Sequence, residues 1–131
     1  MVDLPLTMGG RVPSNIHTVT IDCADPKGLA AFWASGLGYH TTYESDDEVV
    51  IENADESCPA LLFGRGDDVK TTKNRIHLDL NPDDQEAEVE RFMALGATKV
   101  DIGQKDVSWV VLADPEGNEF CILTPKPTPS A

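Results

Sequence analysis

Between Asn15 and Cys23, apolar Val19, Ile21 and Cys23 alternate with polar Thr18, Thr20 and Asp22. This is the two-residue period of a half-buried strand. The period then changes. Asp25-Pro26 offers a helix cap followed by a first-turn proline, and Leu29, Phe32 and Trp33 fall on one apolar helical stripe. Gly36 or Gly38 can end that helix in a left-handed conformation. Strands are predicted near 39–43, 48–53 and 60–64.

The same order recurs at an offset of 60 residues: Ile16-His17 becomes Ile76-His77, Phe32 becomes Phe92, and Gly36 becomes Gly96. A common spacing of weak matches indicates two related modules. In the second, Arg75–Leu80 reads as a strand, and Asn81-Pro82-Asp83-Asp84 supplies a cap, a proline and N-terminal acids. Val89, Phe92 and Met93 form the helical stripe, and strands are predicted near 98–102, 107–113 and 118–123. The fold class is therefore α+β, with two βαβββ modules. Neither module can hide both faces of its sheet, so pairing them gives an open, barrel-like mixed sheet with a concave cleft and the helices outside. Residues 1–131 read as a single domain: module one at about 14–64, a linker at 65–74, module two at about 75–124, and an irregular tail at 125–131. Arg65, Lys70 and Lys73 make the linker a small basic island, read as solvated.

Composition narrows the ligand. The chain has 131 residues, room for one modest core, and carries 23 acids against 10 Lys and Arg, a net charge of −13. Such a surface disfavours nucleic acid and anionic membrane, and suits a neutral or cationic small molecule. No apolar run reaches the roughly 18–20 residues of a membrane span, and Met1–Pro13 lacks a basic-then-apolar leader pattern. Three cysteines without CxxC spacing point to a reducing, cytoplasmic setting. No P-loop, GxGxxG, GxSxG or HExxH motif is present.

Three stretches carry a family resemblance. His17-Thr18-Val19-Thr20-Ile21-Asp22-Cys23-Ala24-Asp25-Pro26, running through Phe32-Trp33 to Leu37-Gly38-Tyr39, resembles the opening of the vicinal oxygen chelate superfamily. Arg75-Ile76-His77-Leu78-Asp79-Leu80 resembles its fifth strand, and Asp114-Pro115-Glu116-Gly117-Asn118-Glu119-Phe120-Cys121 its last turn and strand. Together they look most like the glyoxalase-like domains, grouped with glyoxalases, bleomycin-resistance proteins and dioxygenases. The resemblance implies a homodimer and, in metal-using members, one divalent ion held by two histidines and a carboxylate from the first and last strands of each half. Here the first-strand ligand position holds Thr18, with His17 one residue away. The fourth-strand position falls near Leu61, the fifth keeps His77, and the last-strand carboxylate position holds Cys121, with Glu119 two residues earlier.

Strand period orients these candidates. With Ile76, Leu78 and Leu80 toward the helix, His77 and Asp79 face the cleft; with Val19, Ile21 and Cys23 toward the helix, Thr18 and Thr20 face it. The same parity puts His17 under the helix, unless a β-bulge turns it inward. The expected ligand pocket is Thr18, Thr20, His77, Asp79, Trp109, Glu119 and Cys121. Trp109 either stacks on a ligand or fills the core, since its strand is apolar on both faces. Trp33 reads as core, Cys121 as an inert strand thiol, and Asp114-Pro115-Glu116-Gly117 as a turn. The expected function is small-molecule binding without a cofactor. The alternative is a metal-dependent lyase, isomerase, transferase or dioxygenase using His17, His77 and Glu119.

Overall fold

The computed structural model describes residues 13–67 and 70–127. The expectations for the leader region before residue 13 and for the end of the tail, 128–131, lie outside them. The elements run β1 (Thr18–Cys23), α1 (Pro26–Leu37), β2 (His40–Glu44), β3 (Glu48–Glu52), β4 (Ala60–Arg65), β5 (Leu78–Leu80), α2 (Gln85–Leu95), β6 (Thr98–Lys99), β7 (Val110–Ala113) and β8 (Glu119–Ile122). They form two four-stranded sheets, ordered β1-β4-β3-β2 and β5-β8-β7-β6. In each, the first strand pairs in parallel with the last and the other neighbours are antiparallel. The identical order is the structural form of the 60-residue repeat. The architecture is the open α+β pairing expected, with the two ladders separate.

Both helices start as their sequences direct. The Asp25 carboxylate accepts from the Gly28 N–H at 3.1 Å, and the Asp84 carboxylate from the Ala87 N–H at 3.1 Å. The left-handed cap of α1 is Gly38, with φ of 70°. Gly36 serves helix packing instead. A Cβ there would lie 2.4 Å from Cε1 of Phe92, so its missing side chain lets α2 approach α1. Gly36→Ala is accordingly expected to destabilise the protein by about 1–2 kcal/mol through overpacking. In urea unfolding this would lower the midpoint without changing the slope.

The core joins the two halves. Phe32, Trp33, Phe92 and Phe120 pack with ring centroids 4.7–6.2 Å apart. Val49, Ile51, Leu61 and Phe63 close the core from the first sheet, and Leu112 and Ile122 from the second. Arg91 lies 5.1 Å above the Phe92 ring and donates to the Ser35 and Gly36 carbonyls, which occupy the last turns of α1. Met93, expected on the buried stripe, is 41% exposed, so Val89 and Phe92 alone carry the buried face of α2.

The second half has shorter strands than its hydrophobic pattern predicts. Ile76 precedes β5 and is 82% exposed, not turned toward the helix as expected. Between β6 and β7, Asp101 accepts from the Gly103 N–H and Gln104 from the Ile102 N–H, while Lys105 takes a positive φ of 58°. These local bonds compete with the ladder and break the strands predicted at 98–102 and 107–113. The basic island departs from a solvated linker. Arg65 still belongs to β4 and binds the Ala24 and Asp46 carbonyls, and Lys70 pairs with Glu119. No helix among the described residues is long and apolar enough to cross a membrane.

Candidate ligand cavity on the second sheet

Register builds the site. β5 and β8 align Leu78 with Phe120 and Asp79 with Cys121, while β7 aligns Val111 with Cys121. Leu78, Phe120 and Ile122 belong to the core. Asp79, Cys121 and Val111 therefore point the other way, and Glu119 and His77 share their parity. On that face lies a cavity of about 300 Å³, lined by His77, Asp79, Trp109, Glu119 and Cys121, with Gly103 and Gln104 closing it from the β6–β7 loop. The His77 and Asp79 side chains, 40% and 51% exposed, stand at its mouth. Glu119 and Cys121 are buried at its floor, and the exposed Trp109 indole forms a wall.

The polar groups are already partly committed. Nε2 of His77 lies 3.1 Å from Oδ1 of Asp79. Burial pushes the Cys121 thiol up, as does the adjacent Asp79 carboxylate, by its charge and by accepting a hydrogen bond from the S–H, while Lys73 opposes them. Cys121 is therefore a protonated thiol near neutral pH and not a nucleophile. Burial would raise the Glu119 carboxyl, but Lys70 and the Asn74 N–H outweigh it and hold the group below its ordinary range. The Lys70 ammonium sits 2.5 Å from Oε2 of Glu119, and the Asn74 N–H donates to Oε1 at 2.9 Å.

Five of the seven expected pocket residues thus line one cavity. Thr20 instead lines an adjoining cavity of about 380 Å³ between β1 and the second sheet, which shares His77 and Glu119 as walls. Thr18 is half-buried and lines neither. The residues that sequence reasoning missed are Lys70, Lys73 and Gln104. The first had a signal, since a buried Glu119 demands a cation.

The ligand set of the metal-using relatives does not assemble. His17 precedes β1 and is exposed, neither under α1 nor in the cleft, and it lines a separate cavity beside Glu52, Glu56 and Cys58. Glu119 is spent on Lys70 and Asn74. His17, His77 and Glu119 therefore do not fit a shared divalent ion.

Trp33 is core, as expected, and its Nε1 donates to the buried Asp114 carboxylate at 3.0 Å. The Asp114–Gly117 turn forms, closed by the Gly117 N–H on the Asp114 carbonyl at 2.8 Å. Its Glu116 carboxylate also accepts from the Ala24 and Asp25 N–H groups at the start of α1, at 2.7 and 2.8 Å. One turn of the second half therefore fastens the helix of the first.

The sequence profile of the glyoxalase-like domain matches residues 18–123. The chain belongs to that family, within the vicinal oxygen chelate superfamily. Among solved structures, it is similar to a glyoxalase/bleomycin resistance protein/dioxygenase family enzyme from Burkholderia phytofirmans PsJN. Identity is 20%, with a TM-score of 0.67, over 85% of this chain and 98% of that one. A possible glyoxalase from Bacillus cereus aligns at 15% identity and a TM-score of 0.65, over 85% and 99% of the two chains. The bleomycin-binding protein from Streptomyces verticillus, solved with copper(II)-bleomycin, aligns at 15% identity and a TM-score of 0.60, over 88% and 100%. Comparison with curated proteins finds no match.

Proposed function

We propose that the protein is a small-molecule-binding member of its family, acting in the cytoplasm as a homodimer. It holds a neutral or cationic ligand in the cavity of the second sheet, without a resident metal centre of the family's kind. The observation that carries this reading is the convergence of an exposed indole, a carboxylate and an imidazole on one concave face, with a buried floor beneath them. The Trp109 face supplies contact area and attracts cations, Asp79 supplies charge, and Gln104 and His77 supply hydrogen bonds. The bleomycin-binding protein of the same fold, solved with copper(II)-bleomycin, supports the class of function. The arrangement of His17, His77 and Glu119 gives the metal-dependent enzyme no comparable support.

A thermal-shift screen of neutral and cationic compounds tests the reading. Hits are expected to quench tryptophan fluorescence, because the second indole, Trp33, is buried in the core. Trp109→Ala should weaken them about thirtyfold, the loss of about 2 kcal/mol typical of an anchoring aromatic. Hits indifferent to both Trp109→Ala and Asp79→Asn would move the ligand elsewhere, and a library without hits would remove the reading.

A further inference from the structure

We infer that His77, Asp79 and Cys121 form a site for a thiophilic divalent ion such as zinc, a second class of ligand for this cavity; His77 and Cys121 stand at the fifth-strand and last-strand ligand positions of the metal-using relatives, and Asp79 on the same sheet takes the place of the donors that the other half supplies there. One ligand atom from each residue lies within 4.8 Å of the other two. The placement follows from the register: Asp79 and Cys121 are direct partners on β5 and β8, and His77 is two residues along on the same face. A tetrahedral ion with bonds of about 2.0–2.3 Å spans donors about 3.3–3.8 Å apart. Small rotations of the exposed His77 and Asp79 side chains, which exchange their mutual contact for the ion, close the set around the buried sulfur. The fourth position opens into the cavity beside Gln104 and Trp109, where water or a ligand atom completes the shell.

The donors decide which ion binds. One sulfur, one imidazole nitrogen and one carboxylate oxygen favour zinc, cadmium or cobalt over magnesium or calcium, which select all-oxygen shells. Binding exchanges one proton: the S–H bond of Cys121 breaks, a sulfur–metal bond forms, and the proton leaves to solvent. No redox partner is needed. Three protein ligands on one sheet face make an exchangeable site, and its ion occupies the mouth against Asp79. The ion and the proposed organic ligand therefore compete for the cavity and share His77 and Asp79, but Trp109 anchors only the organic ligand and the Cys121 sulfur only the ion.

Titration of reduced protein with cadmium, followed by thiolate-to-metal charge-transfer absorption, tests the inference. One equivalent should saturate the band, and excess magnesium should not displace it. The exposed Cys58 is the competing thiol, so the band must survive in Cys58→Ser and vanish in Cys121→Ser. His77→Gln and Asp79→Asn, at exposed positions where folding is not at stake, should each weaken binding by at least about tenfold. Trp109→Ala should leave the band intact, so that this inference and the proposed function fail separately. A band lost in Cys58→Ser, or one indifferent to both His77→Gln and Asp79→Asn, would overturn the site.

Discussion

Asp114→Ala is expected to destabilise the protein by about 3–5 kcal/mol and to lower its melting temperature by about 10 °C or more. The reason is the number of donors that converge on one buried carboxylate. Asp114 is 3% exposed. Its Oδ1 accepts from the N–H groups of Glu116 and Asn118, and its Oδ2 accepts the Trp33 indole N–H and the Asn118 amide. Truncation leaves the indole nitrogen and two turn amides without acceptors. Each bond to a charged group is worth about 1.5–3 kcal/mol, and the contributions overlap. The loss also spreads, because the same turn presents Glu116 to the start of α1. Asp114→Asn, which keeps one acceptor oxygen, should cost about half as much. Glu116→Ala should be less than additive with Asp114→Ala, since an opened turn no longer aims that carboxylate. Chemical denaturation of the three variants measures this; a loss below about 1 kcal/mol for Asp114→Ala would show that the two halves are held by their aromatic core alone.

Local pattern predicts structure where a side chain's role is set by its neighbours in sequence. Val19, Ile21 and Cys23 alternate and pack against α1. Asp25 caps the helix it precedes, and His77, Asp79 and Cys121 share the face that strand parity assigns. Pattern fails where a distant partner decides. Alternation places Ile76 in a strand that the ladder never reaches, because hydrogen bonding between β5 and β8 begins at Leu78. His17 has the parity of a covered residue, yet it precedes β1 and is exposed. The Asp114–Gly117 segment is legible as a turn from proline and glycine alone. That its two acids bind Trp33 and the Ala24 and Asp25 amides ahead of α1 is not legible, because those partners lie 81 and more residues away. A buried Glu119 asks for a cation, but that Lys70 of the linker supplies it is likewise not legible.

Lys70→Ala is the second large effect expected, about 2–3 kcal/mol. Glu119 is 7% exposed, and its Oε2 has the Lys70 ammonium as its charge partner. Removing that ammonium leaves a buried carboxylate supported on Oε1 by the Asn74 N–H. Breaking a fully buried pair costs about 3–5 kcal/mol. Here the cost is smaller, because the Lys70 side chain is 22% exposed and water can partly replace it. Charge compensation and simple packing by Lys70 make opposite predictions for a second substitution. If the penalty is the orphaned charge, Glu119→Gln in the Lys70→Ala background should recover most of the lost stability, since the glutamine oxygen still accepts from Asn74 and carries no charge to desolvate. If Lys70 acts only by packing its methylenes over the floor, the double variant should stay as unstable as Lys70→Ala. A double-mutant cycle in urea separates the two. A coupling energy near zero would mean that the segment between the halves is not anchored through Glu119, and that the floor of the ligand cavity is held by the β5–β8 ladder alone.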